Sequence, residues 1–255
     1  MSNFGINIVY FGNGVRGEAC LKHLIQEGKS ITLVVGSSNT ASIKCIAEEN
    51  NIPYVSPEKV NSKQFETQLK AVGSNLFVLC GYNKILKSNI LEIPKYRVIN
   101  CHGGKLPEYR GTAPINWQLI NGEEIVGFSI LYADAGIDTG EILKEIRFKI
   151  DADTDAKDLL KESLEWFPNE LVSQVSTLET KGVLGSIKQD EAKAVHYTRR
   201  YPEDGYIDFS KMTALQVHNI VRALVRPYPG AFTFVNNQKV IIIGGGPNRI
   251  GQGIE

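Results

Sequence analysis

The stretch INIVYFGNGVRGEACLKHLIQEG, residues 6–28, has the pattern of a buried strand, a glycine turn and a helix. Residues 6–11 are nearly all apolar, which is typical of a strand covered on both faces. Beyond the glycine turn, apolar residues recur at near-helical spacing until Gly28, where the helix is expected to end. A strand followed at once by a returning helix is the first unit of a parallel sheet.

The same alternation continues along the chain and predicts the fold class. Further buried strands are expected at 30–36, 75–82, 96–102, 126–133 and 140–150, with helices at 41–50, 62–73, 112–122 and about 154–180. Thr112 is the expected N-cap of the helix at 112–122, and a short helix is expected within 86–94. The sequence therefore predicts an α/β fold, a Rossmann-like and mostly parallel sheet with helices on both faces.

The alternation of strands and helices ends near residue 190. A loop-rich stretch leads into an amphipathic helix at 214–225 and a hairpin at 230–243 that turns at Asn236-Asn237. We therefore expect a main domain at 1–190 and a small α+β annex at 191–255, which ends in a glycine-rich tail.

Composition limits the classes of function. Lysine plus arginine equals aspartate plus glutamate, 28 each, so a large nucleic acid is not the favoured partner. Neither a signal peptide nor an apolar run of about 18 residues is present, which predicts a cytoplasmic protein without a membrane span. The four cysteines are scattered and form no CxxC pair, so no disulfide framework and no metal site are expected.

Two glycine-rich motifs resemble nucleotide-binding sequences but do not predict a nucleotide site in this chain. Residues 12–17 match G-x-G-x-x-G, but the second strand ends in VVGSSN without the acidic residue that a dinucleotide site needs. Gly12 is instead a candidate for substrate contact, because ligands often lie at the carboxyl edge of such a sheet. The segment GGGPNRIGQGIE, residues 244–255, resembles a glycine-rich segment of carbamoyl-phosphate synthetases, but twelve residues cannot build that nucleotide site.

The stretch NCHGGKLPEYRG, residues 100–111, contains the candidate catalytic residues. Side chains alternate along a strand, so Asn100 and His102 share one face, while Cys101 points to the other and is expected to pack rather than act as a nucleophile. This stretch resembles the NxHxxxLPxxRG signature of the folate-dependent formyltransferases. The stretch ADAGIDTGEIL, residues 133–143, resembles the second signature of that family, GxDTG.

The resemblance implies the roles of particular residues. The catalytic trio would be Asn100, His102 and Asp138, and whether His102 or Asp138 is the general base stays open. Asp134 lies in the same turn and belongs with the folate-binding candidates rather than with the trio. The folate-binding candidates are Tyr82, Ile85, Leu86, Asp134 and Asp138, and the substrate-binding candidates are Gly12, Gly103, Gly104, Tyr109 and Arg110. Core packing is an equal alternative for Ile85 and Leu86, as is a loop-tying salt bridge for Arg110.

The C-terminal stretches YTRRYPEDGYIDF (197–209) and VHNIVRALVRPYPGAFTF (217–234) are similar to the annex of sugar-nucleotide N-formyltransferases. This resemblance implies transfer of a formyl group from 10-formyltetrahydrofolate to the amine of a UDP- or dTDP-linked deoxyamino sugar, and pairing of two copies as a homodimer. The alternatives are a methionyl-tRNA formyltransferase and a non-catalytic nucleotide-binding relative. The arginines of these stretches that could contact phosphates are Arg199, Arg200, Arg222 and Arg226.

Overall fold

The computed structural model describes residues 4–37 and 41–243 and confirms the alternation of strands and helices. The glycine-rich segment at 244–255 lies outside the described residues. The strands are β1 (Asn7–Gly12), β2 (Ser30–Val35), β3 (Tyr54–Val55), β4 (Leu76–Cys80), β5 (Val98–His102), β6 (Arg110–Gly111), β7 (Ile125–Tyr132), β8 (Ile142–Lys149), β9 (His196–Tyr197), β10 (Ala231–Val235) and β11 (Gln238–Ile242). The helices are α1 (Gly14–Gln26), α2 (Ala41–Glu49), α3 (Lys63–Val72), α4 (Ser88–Leu91), α5 (Pro114–Ile120), α6 (Ala156–Lys181) and α7 (Ala214–Ala223).

Seven strands form one sheet in the order β3-β2-β1-β4-β5-β7-β8. The pairs that join β3, β2, β1, β4 and β5 are parallel, and β7 pairs with β5 in the antiparallel direction. The predicted α/β fold with a mostly parallel sheet is therefore confirmed. Apolar side chains of β1, β4 and β5 pack with those of α3 in the core, among them Phe11, Phe77 and Val98.

The glycines of the first turn serve close packing of backbone on backbone. A Cβ atom at Gly17 would lie 2.8 Å from the carbonyl oxygen of Cys80, so only glycine lets α1 approach the end of β4 this closely. Gly81 has φ +69, and a Cβ there would collide with the backbone of Asn13. Helix–strand packing thus explains Gly17, the last glycine of the G-x-G-x-x-G pattern.

The chain divides into two compact units. The first comprises Met1–His102, Ser129–Glu145 and Ser163–Asp190, and the second comprises Gly103–Phe128, Ile146–Glu162 and Glu191–Glu255. In the second unit Asn116 of α5 donates to the carbonyl of Ala223 in α7 at 2.6 Å, which joins the two helices. The boundary near residue 190 stays a prediction.

Local predictions mostly hold in the annex and fail at one helix start. The hairpin β10–β11 turns at Asn236 and Asn237 with φ values of 49° and 64°, the left-handed geometry that a two-residue hairpin needs. The expected N-cap at Thr112 is wrong, because Ala113 is the cap residue. The backbone N–H of Thr112 instead donates to the carbonyl of Tyr197 at 3.2 Å. The helix expected within 86–94 is limited to α4.

Among the helices of the described ranges, none has both the length and the apolar character that crossing a membrane requires.

Candidate active site

One carboxylate of the first unit contacts both predicted partners. Asp138, in the turn between β7 and β8, accepts a hydrogen bond through Oδ1 from the Asn100 amide nitrogen Nδ2 at 3.2 Å. Its second oxygen, Oδ2, lies 3.4 Å from Nδ1 of His102. The structure therefore brings together the amide, the imidazole and the carboxylate that the sequence predicted, on one face of β5.

The turn that carries Asp138 is held in an unusual backbone conformation. Asp138 itself has φ +55, in the left-handed region that aspartate and asparagine tolerate better than most residues. Gln189 donates to the carbonyls of Asp138 at 2.8 Å and of Gly140 at 2.7 Å. A Cβ at Gly140 would collide with the carbonyl of Tyr132, so this position of the GxDTG stretch requires glycine. Sequence reasoning missed Gln189, which lies in a polar connector without a recognisable motif.

Asp134, the other carboxylate of this turn, has a local structural role. Its Oδ1 accepts from the backbone N–H of Gly136 at 3.0 Å and from the hydroxyl of Thr139 at 2.6 Å. These bonds close the turn that presents Asp138. The predicted contact between Asp134 and folate stays a prediction.

The contact between Asp138 and His102 determines what the imidazole can do. A proton on Nδ1 that faces the carboxylate favours the tautomer with an unprotonated Nε2, which can accept a proton. The Asn100 amide supplies a hydrogen-bond donor on the same face of the strand. A proton acceptor beside a fixed amide donor is suited to acyl transfer, in which a proton moves and an oxyanion develops.

Cys101 lies on the opposite face of β5, as the strand periodicity predicts. Its sulfur belongs to a buried group with those of Cys20 and Cys80, and all three Sγ atoms lie within 4.8 Å of one another. The cysteines are free thiols. The sequence did not indicate that three scattered cysteines would meet, because they come from α1, β4 and β5. Buried thiols of this kind behave as small apolar side chains, so the geometry does not favour a cysteine nucleophile.

The predicted folate-binding residues have three different environments. Leu86 is 4% exposed and belongs to the core, whereas Ile85 is 66% exposed. Tyr82 packs edge-on against Phe11 with ring centroids 5.3 Å apart. Its hydroxyl is buried without a hydrogen-bond partner in the described part of the chain. Burial raises the pKa of Tyr82 to about 12, so this hydroxyl is a neutral donor at physiological pH.

Two more buried donors lie between the end of β1 and the first turn of α1, next to Gly12, which is itself buried. Asn13 Nδ2 and Arg16 Nη1 have no hydrogen-bond partner among the residues that the structure describes. Buried donors are normally satisfied, so such groups indicate positions where an acceptor from outside the chain can bind. Sequence reasoning selected Gly12 here and missed both side chains, because an unpaired atom is visible only in three dimensions.

The loop that follows His102 belongs to the second unit, and its predicted substrate-binding side chains are buried there. Tyr109 is 2% exposed, donates to Glu123 Oε1 at 2.7 Å and stacks on Tyr197 with ring centroids 4.9 Å apart. Arg110 is 1% exposed and makes two hydrogen bonds to Glu191, at 2.9 and 2.6 Å. The salt-bridge alternative for Arg110 is therefore observed, and its partner is in the connector. Substrate contact by either side chain stays a prediction.

The glycines of this loop allow backbone to pack tightly. Gly103 and Gly104 are buried, and the carbonyl of Gly103 accepts from Gln118 Nε2 at 3.3 Å. Gly111 has φ +98, and a Cβ there would collide with the carbonyl of Tyr197 in the strand pair β6–β9. The glycine after Arg110 is thus required by that pairing. Contact between Gly103 or Gly104 and a substrate stays a prediction.

At the end of β5 a carboxylate contacts an amide and an imidazole, an arrangement suited to acyl transfer. The family model described as formyl transferase matches residues 6–175, and the model of the formyl transferase C-terminal domain matches residues 200–250. The chain belongs to the formyl transferase family.

Relatives in this family differ in the acceptor that their names state. The methionyl-tRNA formyltransferase of Ruminiclostridium cellulolyticum is 33% identical over 245 residues, which cover 92% of this chain and 78% of that protein. The methionyl-tRNA formyltransferase of Geobacter metallireducens is 34% identical over 244 residues, with the same coverage of 92% and 78%.

Solved structures of sugar N-formyltransferases share the fold. WlaRD, a sugar 3N-formyl transferase crystallised in the presence of dTDP and 5-N-formyl-THF, superimposes with a TM-score of 0.70 at 25% identity, covering 93% of this chain and 85% of that one. A sugar N-formyltransferase from Shewanella sp. gives a TM-score of 0.78 at 17% identity, covering 95% and 98% of the two chains. At that identity the likeness concerns the fold alone.

Proposed function

We propose that the protein is a folate-dependent N-formyltransferase that moves the formyl group of 10-formyltetrahydrofolate to the amine of a nucleotide-linked deoxyamino sugar. The observation that carries this proposal is the carboxylate of Asp138, in contact with both the amide of Asn100 and the imidazole of His102. The non-catalytic alternative loses support, because a binding protein would not need one carboxylate in contact with both an amide and an imidazole.

Each residue of the trio has a role in this reaction. The acceptor amine attacks the formyl carbon, so negative charge develops on the formyl oxygen and the amine must lose a proton. Asn100 Nδ2 donates to the developing oxyanion, and removing one such donor typically costs about 3–4 kcal/mol of transition-state stabilisation. His102 accepts the amine proton and supplies a proton to the folate nitrogen N10 as the bond between N10 and the formyl carbon breaks and tetrahydrofolate leaves. Asp138 orients the imidazole and stabilises its charged form.

The residues present fit a folate co-substrate, which supplies an activated formyl group when bound. The buried Tyr82 hydroxyl lacks an acceptor among the described residues and can donate to a polar edge of a ring system. Ile85 is an exposed apolar side chain in the same segment and gains from being covered. The crystal structure of WlaRD was solved in the presence of 5-N-formyl-THF, which supports this class of donor.

The formal charge of zero supports a nucleotide sugar over a nucleic acid as the acceptor. The observation that favours the second candidate, methionyl-tRNA, is the 33% identity with a methionyl-tRNA formyltransferase over 92% of this chain. Pairing of two copies as a homodimer stays a prediction that sedimentation analysis can test.

A mass spectrum of parallel reaction mixtures separates the two acceptors. Each mixture contains the enzyme, 10-formyltetrahydrofolate and one acceptor: pooled UDP- and dTDP-linked 3-amino and 4-amino deoxysugars, or initiator tRNA charged with methionine. We expect a formyl mass increment on one sugar and none with the His102→Ala variant. An increment on methionyl-tRNA alone would contradict the sugar acceptor, and no increment on any acceptor would contradict the transferase reaction.

A further inference from the structure

The three buried cysteines of the first unit form a group that the proposed reaction does not use. Cys20 is 0% exposed, Cys80 is 1% exposed and Cys101 is 8% exposed. Their Sγ atoms all lie within 4.8 Å of one another, and those of Cys20 and Cys80 are 3.5 Å apart. All three residues belong to the first compact unit, so the group is complete within it.

Three rigid elements place these thiols on one face of the sheet. Cys80 in β4 and Cys101 in β5 are register partners of adjacent parallel strands, so their side chains leave the same face. Cys20 lies on the buried side of α1, which packs on that face. Gly17 allows the close approach of α1, because a Cβ there would lie 2.8 Å from the carbonyl oxygen of Cys80. The backbone therefore holds the three sulfurs together.

The spacing of the sulfurs suits three ligands around one ion. A Zn–S bond is about 2.3 Å long, so three sulfurs that surround an ion in one plane lie about 4.0 Å from one another. The distance of 3.5 Å for one pair and the limit of 4.8 Å for all pairs are of this size. Small side-chain rotations are enough to bring the three Sγ atoms to bonding distance from a common centre.

The ligand atoms determine the class of ion. All three are sulfur, and thiolates select soft ions such as Zn²⁺ over Mg²⁺ and Ca²⁺, which take oxygen ligands. A buried thiol alone fills space as a small apolar group, whereas three converging thiolates form a ligand set for such an ion.

A nearby cation completes the charge balance of this group. The guanidinium of Arg16 interacts electrostatically with Cys80 and with Cys101. Its Nη1 atom is buried without a hydrogen-bond partner among the described residues. Three thiolates and one guanidinium together leave two negative charges, which a divalent cation neutralises. Buried charges are tolerated when they are balanced in this way.

We propose that Cys20, Cys80 and Cys101 bind one thiophilic divalent cation of the zinc group through their three sulfur atoms. On binding, each thiol releases its proton to solvent and donates a sulfur lone pair to the ion, without any electron transfer. The bound ion joins α1 to β4 and β5 and so stabilises the first unit. The expectation of no metal site came from the lack of a CxxC pair, which concerns ligands that are close in sequence.

The direct test is titration of the full chain with Cd²⁺, after reduction with a phosphine and removal of metals with a chelator. Coordination produces an ultraviolet charge-transfer band from thiolate to Cd²⁺ that free thiols lack. We expect this band to saturate at one ion per chain and to disappear when excess Zn²⁺ displaces the Cd²⁺. Because the thiols are buried, the incubation is repeated in urea below the unfolding transition, where local opening admits the ion faster.

Cysteine variants make the comparison specific. Cys101→Ala should weaken Cd²⁺ binding at least about a hundredfold, since loss of a group that only supports a ligand already costs about 10–100-fold. Cys45→Ala is the matched control, because it makes the same change at an exposed free cysteine, and it should stay within about twofold. Cys20→Ser nearly keeps the side-chain volume and should also weaken binding, which guards against a packing defect in the alanine variant. Circular dichroism checks that each variant is folded.

Thermal unfolding gives an independent measurement. At a free Cd²⁺ concentration of about 100 times Kd, wild type and Cys45→Ala should melt about 5–10 °C higher than without the ion. Cys101→Ala should show no such shift.

Three results would overturn the proposal. The first is the absence of the charge-transfer band after both incubations, which would leave the thiols as packing groups. The second is a band that a folded Cys101→Ala or Cys20→Ser variant keeps at full affinity, or that Cys45→Ala loses. The third is a mass lower by two hydrogen atoms after reduction, which would show a disulfide between Cys20 and Cys80. Each readout is independent of formyl transfer, so failure of the proposed function would leave the metal site standing, and the reverse also holds.

Discussion

Replacing Asp138 with asparagine removes the charge that holds the candidate active site together while keeping its shape. Asp138 Oδ1 accepts from Asn100 at 3.2 Å, and Oδ2 lies 3.4 Å from His102 Nδ1. In the variant, an NH2 group must face either the Asn100 amide nitrogen or the imidazole. A donor would then meet a donor, or the imidazole would be forced into the other tautomer and lose its acceptor at Nε2.

The size of the effect follows from the role of a positioned acid–base group, which contributes about 10²–10⁴ to the rate of a proton-transfer reaction. We therefore expect kcat of Asp138→Asn to fall by about 10²–10⁴, or roughly 3–5 kcal/mol of activation free energy. The fold should survive, because asparagine also tolerates the left-handed conformation seen at φ +55.

The assay is single-turnover release of tetrahydrofolate with a saturating acceptor. Asp134→Asn is the matched control, since the same change is made in the same turn, and the remaining amide oxygen can still accept from Gly136 and Thr139. We expect this control to keep kcat within about threefold. A loss below tenfold in Asp138→Asn, or an equal loss in Asp134→Asn, would refute the reasoning.

Three further changes test other parts of the structure. Cys101→Ala should keep most of the activity, because its thiol packs away from the trio. Asn100→Ala should lower kcat about 10²–10³, because an oxyanion donor is lost. Equal losses in the two variants would contradict the placement of Asn100 and Cys101 on opposite faces of β5. Tyr82→Phe should leave Tm unchanged or higher and should raise KM for 10-formyltetrahydrofolate about threefold to tenfold. A lower Tm with an unchanged KM would show that the Tyr82 hydroxyl bonds to a group of the protein instead. The hydrogen bond from Arg110 lowers the pKa of Glu191 in the folded protein. The pair therefore stabilises the protein fully at pH values above the unfolded glutamate pKa of about 4.3. This stabilisation is lost as the pH falls through the lower pKa of Glu191 in the folded state. Wild type should accordingly melt above Glu191→Gln at pH 7, with the difference shrinking below pH of about 4, and a constant difference would contradict the ion pair.

Arg110, the arginine of the NxHxxxLPxxRG stretch, has a structural role in the described protein. Its side chain is 1% exposed, and both of its terminal nitrogens bond to Glu191, 81 residues later in the sequence. The pair connects the loop after β5 to the connector before β9 within the second unit. Conversion of Arg110 to lysine would lose the two-point contact, since a lysine donates from a single nitrogen.

The parts of the fold that the sequence predicted correctly depend on local periodicity. The strands at 6–12, 30–36 and 75–82 are apolar runs that end in glycine or turn residues, and such runs remain visible without any knowledge of the partners. The placement of Asn100 and His102 on one face of β5 is of the same kind, because alternation is a property of the strand itself. The hairpin turn at Asn236-Asn237 also depends on two adjacent residues alone.

The failure at Thr112 has a tertiary cause. Threonine before a proline-containing helix start is a good cap by local rules, but the backbone N–H of Thr112 is bonded to Tyr197. This bond continues the pairing of β6 with β9 by one residue and moves the cap to Ala113. A partner 85 positions away therefore overrides a local preference.

The sequence by itself predicted the α/β fold, and its resemblance to the formyl transferase signatures predicted the three residues of the candidate trio. Only the tertiary structure decided that Arg110 pairs with Glu191, that Asp134 closes a turn, that three distant cysteines meet, and that Tyr82 and Arg200 keep buried donors. The physical reason is the range of the interactions. Periodicity and turn preferences act over a few residues, whereas pairing, burial and the absence of a partner depend on where the whole chain has brought its other groups.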